Sequence, residues 1–316
     1  MIGKQSRFWR ILAISLAMCG CQQNPAATPA PAASNAAAML GPSAADQAAA
    51  ETLEEMGYIL AYNPKMSGSS VVVVDFQSKP VTPEALALLK ELENLVTVEL
   101  SGTDITDEGL KTLHELKSLE HIYLKHTSIS DSGLQSLRGL PKIQTLDLTD
   151  TAVTNAGAKE IASLQSLTAL YLINTQIGDA GLADLKDLGN LQRLDLSRPA
   201  SLPQAGTSDA TPPTPESPAT VRVTDAGLAS LASLRKLTFL KLSGNAISDD
   251  GLKQLAGLKN LQQLSLDHTN ISDVGLDHLE SLFMLSFLDV YQTKVTQERA
   301  AEFKTEIPRL SVNFEP

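Results

Sequence analysis

From Val71 onward the chain repeats one pattern of apolar and polar positions every 24 residues. Leu95 opens one copy, LVTVELSGTDITDEGLKTLHELKS, and Leu119, Ile143, Leu167 and Leu191 open the next four. After an interruption Leu237, Leu261 and Leu285 continue the series. Val71 opens a degenerate first copy, and Ile307, Leu310 and Val312 mark an unfinished last one. Nine in-phase copies and a fragment define a repeat architecture. Within a copy, Val98 and Leu100 alternate with polar residues, the period of a half-buried strand. Ile105 points inward after a turn. Thr106 suits a helix N-cap, and Asp107 and Glu108 suit the first helical turn. Leu110, Leu113 and Leu116 fall at helical spacing on one face. Each copy thus predicts a strand, a turn and a short helix around about seven apolar residues. No copy can enclose that interior alone, so stacking must make the core continuous.

Two further columns accompany the apolar ones. Gly109 recurs as Gly133, Gly157, Gly181, Gly227, Gly251 and Gly275, where a missing side chain is expected to let neighbouring helices stack closely. Thr103 recurs as Thr127, Thr151, Thr175, Thr269 and Thr293, with Asn245 once. These motifs resemble leucine-rich repeats of the ribonuclease-inhibitor-like type, in the bacterial variant L-x-x-L-x-L-x-x-T-x-[IV]-[TS]-D-x-G-L-x-x-L-x-x-L. The resemblance covers about residues 71–312. It implies an α/β horseshoe solenoid with parallel strands on the concave side and helices on the convex side. In such repeats the Thr103 position usually holds Asn, which ladders along the backbone of adjacent repeats; the Thr hydroxyl is expected to do part of that work. The family serves many partners, so the resemblance speaks to fold and hardly to function.

The segments outside the repeats read differently. Lys4, Arg7 and Arg10 precede a short apolar run, Ile11 to Met18, far below the ~20 residues of a spanning helix. The run ends at Met18-Cys19-Gly20-Cys21, which resembles a bacterial lipobox. Residues 1–20 are therefore expected to be a lipoprotein signal peptide and Cys21 the lipidated residue, with Cys19 as the alternative. Residues 21–43 are rich in Ala and Pro and read as a flexible tether. Residues 44–70 are expected to cap the first repeat, with a helix over 46–56 stopped by Gly57 and a strand near Tyr58 to Tyr62. The repeat domain takes up 71–316. Leu191 to Leu237 spans 46 residues where every other copy spans 24, and the Pro/Thr/Ser/Ala-rich segment 199–220 is expected to be a disordered insertion.

Composition narrows the function. The formal charge is −11, and losing Lys4, Arg7 and Arg10 leaves −14. An acidic body disfavours nucleic acid as a partner and suits a basic partner, or simply solubility. Both cysteines lie within the first 21 residues, so the body has no disulfide framework and no thiol nucleophile. No HExxH, phosphate loop or GxSxG motif occurs. His114 and His278 fall on helices, and His121, His126 and His268 are spaced for no common metal site. No catalytic residue, metal or cofactor is therefore expected.

The informative positions are the strand residues that face out of the sheet, the third, fifth and seventh of each copy. The fifth column reads Asp75, Glu99, Tyr123, Asp147, Tyr171, Asp195, Lys241, Ser265 and Asp289. The third includes His121, Arg193, Phe239 and Phe287; the seventh is read to include Lys125, Arg198, Asp267 and Tyr291. Glu99, Tyr123, Asp147, Tyr171, Asp195, Phe239 and Tyr291 are the candidate partner-binding residues: carboxylates on a wet face, with aromatic rings as anchors. The expected role is a non-enzymatic, monomeric scaffold, lipid-anchored at a cell envelope or else secreted, that holds a protein or peptide, in particular a basic one. Polysaccharide or cell-wall glycan binding, with Tyr123, Tyr171 and Phe239 as stacking platforms, is the alternative. An effector of the F-box or ubiquitin-ligase-like type fits less well, for want of a catalytic domain.

Overall fold

The computed structural model describes residues 42–63, 70–76, 79–198, 222–307 and 309–314. The expected signal peptide, Cys19, Cys21, most of the tether and the insertion at 199–220 lie outside these residues. Eleven strands form one sheet in strict chain order: β1 Ile59–Tyr62, β2 Val71–Asp75, β3 Thr97–Glu99, β4 His121–Tyr123, β5 Thr145–Asp147, β6 Ala169–Tyr171, β7 Arg193–Asp195, β8 Phe239–Lys241, β9 Gln263–Ser265, β10 Phe287–Asp289 and β11 Ser311–Asn313. From β2 onward all pairs are parallel and keep one register, so equivalent residues of successive copies lie side by side. Only β1 runs antiparallel, against β2. Helices α1 Ala44–Glu55, α2 Pro83–Leu88, α3 Asp107–Leu110, α4 Asp131–Leu134, α5 Asn155–Ala162, α6 Asp179–Leu185, α7 Asp225–Leu231, α8 Asp249–Leu252, α9 Asp273–Asp277 and α10 Gln297–Glu306 form the other side. The helix of a typical repeat is short, 4 to 8 residues, and several continue as 3₁₀ turns.

The seven apolar positions of the copy opened by Leu95 are Leu95, Val98, Leu100, Ile105, Leu110, Leu113 and Leu116, and all are buried. At the N-terminal end α1 starts on Ser43, whose hydroxyl accepts the Asp46 N–H at 3.1 Å. Ala49, Ala50 and Leu53 join the continuous core, and the chain leaves the helix through Gly57 at φ +85°. The Tyr58 and Phe76 rings then meet at 4.6 Å under β1 and β2.

Between copies, the structure revises the two polar columns. The Thr hydroxyls stay within their own copy: Thr103 donates to Leu100 O, Thr127 to Leu124 O and Thr151 to Leu148 O, each at 2.6 Å. The contact between copies belongs instead, from α3 to α9, to the first residue of the helix. Asp131 accepts the Thr154 N–H at 2.8 Å and the Thr154 hydroxyl at 2.6 Å. Asp107 does this for Ser130, Asp179 for Thr224, Asp225 for Ser248, Asp249 for Ser272 and Asp273 for Thr296. The carboxylate therefore fastens the N-cap of the following helix. Where the acceptor is Asn155, the following cap is Gly178, which offers only its N–H, at 2.8 Å. The recurrent glycine makes room for this fastening: a Cβ on Gly133, Gly157, Gly227, Gly251 or Gly275 would collide with the carboxylate of the preceding copy.

Asn245 breaks its column for a reason the structure supplies. The copy opened by Leu191 has Pro199 where a threonine would satisfy Leu196 O. Asn245, one copy later, donates to Leu196 O at 2.9 Å and to Leu242 O at 3.1 Å, and accepts the Val223 N–H at 3.1 Å. It bridges the interrupted copy with a side chain that threonine is too short to replace. Asn245→Thr, although it restores the prevailing residue of the column, is expected to destabilise the fold by about 1–3 kcal/mol, because a buried acceptor and donor lose their partners. Chemical denaturation of the variant checks this; a midpoint equal to that of the wild type would refute the bridging role.

Candidate functional site

The concave face is built by alternation. In each strand the middle residue enters the core and the two flanking residues face outward. Glu99, Tyr123, Asp147, Tyr171 and Asp195 are mutual register partners on β3 to β7, as the period predicts. Tyr123, Tyr171, Phe239, Tyr291 and Glu99 are half-buried. The carboxylates differ from expectation: Asp147 and Asp195 are only 3% and 4% exposed. Their carboxylates accept backbone N–H groups two residues on, Asp147 from Thr149 at 2.9 Å and Asp195 from Ser197 at 3.0 Å. Glu99 does the same for Ser101 at 2.8 Å, and Asp289 for Tyr291 at 3.1 Å. The acids are thus first of all caps on the strand ends, and the face is not wet around Asp147 and Asp195. The crowding has an electrostatic result. Burial raises the Glu99 carboxyl above its ordinary range, against the hydrogen bonds from Ser101, and the neighbouring Asp75 and Asp147 add to the rise. Burial likewise raises Asp195, opposed by Ser197 and Lys241.

Arg198 falls one place later than the seventh column: it shares the eighth with His126, Asp150, Asn174 and His268, and Ser197 faces the sheet. Gly102 and Gly244 take φ +66° and +70° in this column, and His126, Asp150, Asn174, His268 and Gln292 take +54° to +56° without the freedom of glycine. Three of these side chains join along the rim: His126 Nδ1 lies 3.0 Å from Asp150 Oδ2, and Asn174 donates to Asp150 Oδ1 at 2.7 Å. Further along, His268 Nδ1 lies 3.1 Å from Asp267 and its ring meets Tyr291 edge-on at 5.6 Å. The strongly charged central square is formed by β7 and β8: Arg193 pairs with Phe239 and Asp195 with Lys241. The Arg193 guanidinium stands 4.3 Å from the Phe239 ring centre. Reading the sequence missed this stacking, although the shared third position of Arg193 and Phe239 was the available signal.

On the opposite rim, Glu120, Lys142, Gln144, Ser166, Thr168, Asn190 and Gln192 help line an open polar trough of about 450 Å³. Several of its groups bond within the chain, among them Gln144 to Glu120 at 2.7 Å and Ser166 to Pro141 O at 2.7 Å. Among the described residues, no group of three or more His, Cys, Asp or Glu side chains is placed to hold a metal ion, and no helix is long and apolar enough to cross a membrane.

Stacked strand–helix copies with an in-register leucine core define a leucine-rich-repeat solenoid. Family models described as leucine rich repeat match residues 93–153, 233–256 and 257–279. Among solved structures the chain is similar to an internalin C2 from Listeria monocytogenes, at 22% identity over 87% of this chain and 94% of that one, with a TM-score of 0.46. No curated protein matches the chain.

The raised carboxyls carry a pH dependence. A folded-state pKa above the unfolded value means that the folded protein binds the proton more tightly. Stability from this source is therefore greatest at acid pH and falls as pH rises from the ordinary carboxylate range through the raised pKa. Glu99→Gln, which keeps an acceptor for the Ser101 N–H, is expected to lose less thermal stability than wild type as pH rises between about 4.5 and 7. Parallel pH-dependent melting curves for the two proteins would contradict the assignment.

Proposed function

We propose that the chain is a binding scaffold, not an enzyme, and that its concave sheet holds a protein or peptide at a cell envelope. Leucine-rich-repeat folds generally mediate protein–protein binding. The observation that carries the reading is the in-register row from Glu99 to Asp195, in which half-buried tyrosines alternate with acids. Five strands at ~4.8 Å spacing make this row roughly 19 Å long, enough for a partner surface. Rings supply buried area, and the acids supply a field that steers basic groups toward the face. Asp147 and Asp195 contribute through that field, since the backbone already occupies them. A glycan reading would use Tyr123, Tyr171 and Phe239 as stacking platforms, but Arg193 already covers the Phe239 ring, which favours the protein reading. In this proposal the repeats are of the ribonuclease-inhibitor-like type and Cys21, or Cys19, carries the lipid that anchors a monomer to the membrane.

Two measurements test the parts separately. Mass spectrometry of the mature N-terminus is expected to find a diacylglyceryl Cys21; an unmodified start further along the chain would leave a secreted protein in place of an anchored one. With a partner captured from native membranes, Tyr123→Ala and Tyr171→Ala are each expected to weaken binding by about 1–3 kcal/mol while leaving folding intact. Unchanged affinity in the double variant would move the binding face elsewhere on the solenoid.

A further inference from the structure

Arg193 and Lys241 put two cations around one ring on a face whose fifth column also carries Asp75, Glu99, Asp147 and Asp195. The guanidinium carbon is 4.3 Å and the Lys241 ammonium 5.4 Å from the Phe239 ring centre. Lys241 has a counter-charge in Asp195. Arg193 has none in an ion pair among the described residues, and its Nε is buried without a hydrogen-bond partner. That is an unusual condition for a guanidinium, whose N–H groups form a fork and whose desolvated donors are costly to leave open. Contact with a ring face uses none of those donors. It does restrain the guanidinium, so little side-chain freedom remains to be lost when a ligand takes its two terminal NH2 groups. The residue as a whole is half-buried and Nε lies on its buried side.

We propose that Arg193, held by Phe239 and assisted by Lys241, is the docking point for a single carboxylate, an Asp or Glu side chain of the partner peptide or protein surface. The inference rests on the concave-face reading and sharpens it: the partner carries an acidic residue at one place, beside basic or apolar residues that meet the tyrosine row. A planar carboxylate matches the two terminal NH2 groups of the guanidinium end-on with two parallel hydrogen bonds. A polyanion does not fit, because the buried Asp195 sits on the same strand and the acids of β2, β3 and β5 continue the face. Asp75, Glu99 and Asp147 therefore act as a filter, repelling carboxylates from their part of the row.

The test is selection of phage-displayed random dodecapeptides on the full chain. Peptides that compete at the concave face are expected to share one Asp or Glu at a fixed position. Exchanging that residue for Asn or Gln in the synthetic peptide is expected to weaken binding to wild type at least about tenfold and to change binding to Arg193→Gln hardly at all. Arg193→Lys, which keeps the charge and loses the fork, is expected to lose most of the discrimination. Arg193→Gln is expected to melt with wild type, since the side chain faces away from the core; Phe239→Leu is expected to reduce the discrimination by freeing the guanidinium. If the peptides need Tyr123 and Tyr171 but show no acidic preference, or if Arg193→Gln still discriminates, the carboxylate site is overturned and the concave-face reading stands. If selected peptides bind equally to the tyrosine and Arg193 variants, both fall.

Discussion

The register between copies governs everything else in this molecule. A parallel strand of three residues has few ladder bonds to hold its place, and a slip of one residue would turn every core leucine outward. The structure fastens each copy at two separated points. One is the strand ladder, where the carbonyl before each strand accepts two N–H groups of the next copy, as Glu120 O does from Gln144 at 2.7 Å and Thr145 at 3.0 Å. The other, from α3 to α9, is the first residue of the helix: an aspartate in six of the seven, which holds the following N-cap by N–H and hydroxyl together, and Asn155 in the seventh, which holds the N–H. Asp107 shows the balance of forces: burial acts to raise its carboxyl, but hydrogen bonds from Ser130, Ser132 and Gly133 outweigh it and hold the carboxyl below its ordinary value. By linkage, the stability it contributes is present above the ordinary carboxylate pKa and is lost as pH falls through the depressed value.

Fixed register is also what makes the concave face usable. Because strand follows strand without offset, one side chain per copy produces a row, and its chemistry is set by a single column of the sequence. The backbone takes a share first. Position five of a copy lies beside the N–H two residues on, so an acid there is drawn into capping the strand end. In the proposed binding role the tyrosine rings supply contact area and the Arg193 guanidinium, on its ring, supplies the donors.

The fold was legible because its signal is redundant. Seven apolar columns repeated in nine copies leave no other period, and Gly57 announces the end of its helix. The columns of single polar residues were less legible. Asp107 was read as a favourable charge for its own helix, whereas its hydrogen bonds go to the next copy, as do those of Asp131 and Asp179. The clue was present in the pairing of Asn155 with Gly178, the one acceptor changed together with the one cap. The burial of Asp147 and Asp195 was hidden for a different reason. Alternation tells which way a side chain points and nothing about how closely its neighbours crowd it. Arg198 was misplaced by one because Pro199 ends the copy before the column that would have set its register.

The interrupted copy shows how local these rules are. Its two ends, Arg198 and Arg222, both meet Gly244 of the following copy: Gly244 at φ +70° lies against Arg198 O where a Cβ could not, and Arg222 donates to Gly244 O at 2.5 Å. Asp179 still fastens Thr224 across the insertion, at 2.8 Å and 2.6 Å, as if the copy were continuous. The register of β7 with β8 is unchanged. Each copy needs only its neighbours to be in place, so the stacking tolerates extra chain wherever both broken ends are satisfied by the copy beside them. Asn245 and Gly244 do that here, which is why the departure from the threonine column at Asn245 belongs to the copy after the break and not to the broken copy itself.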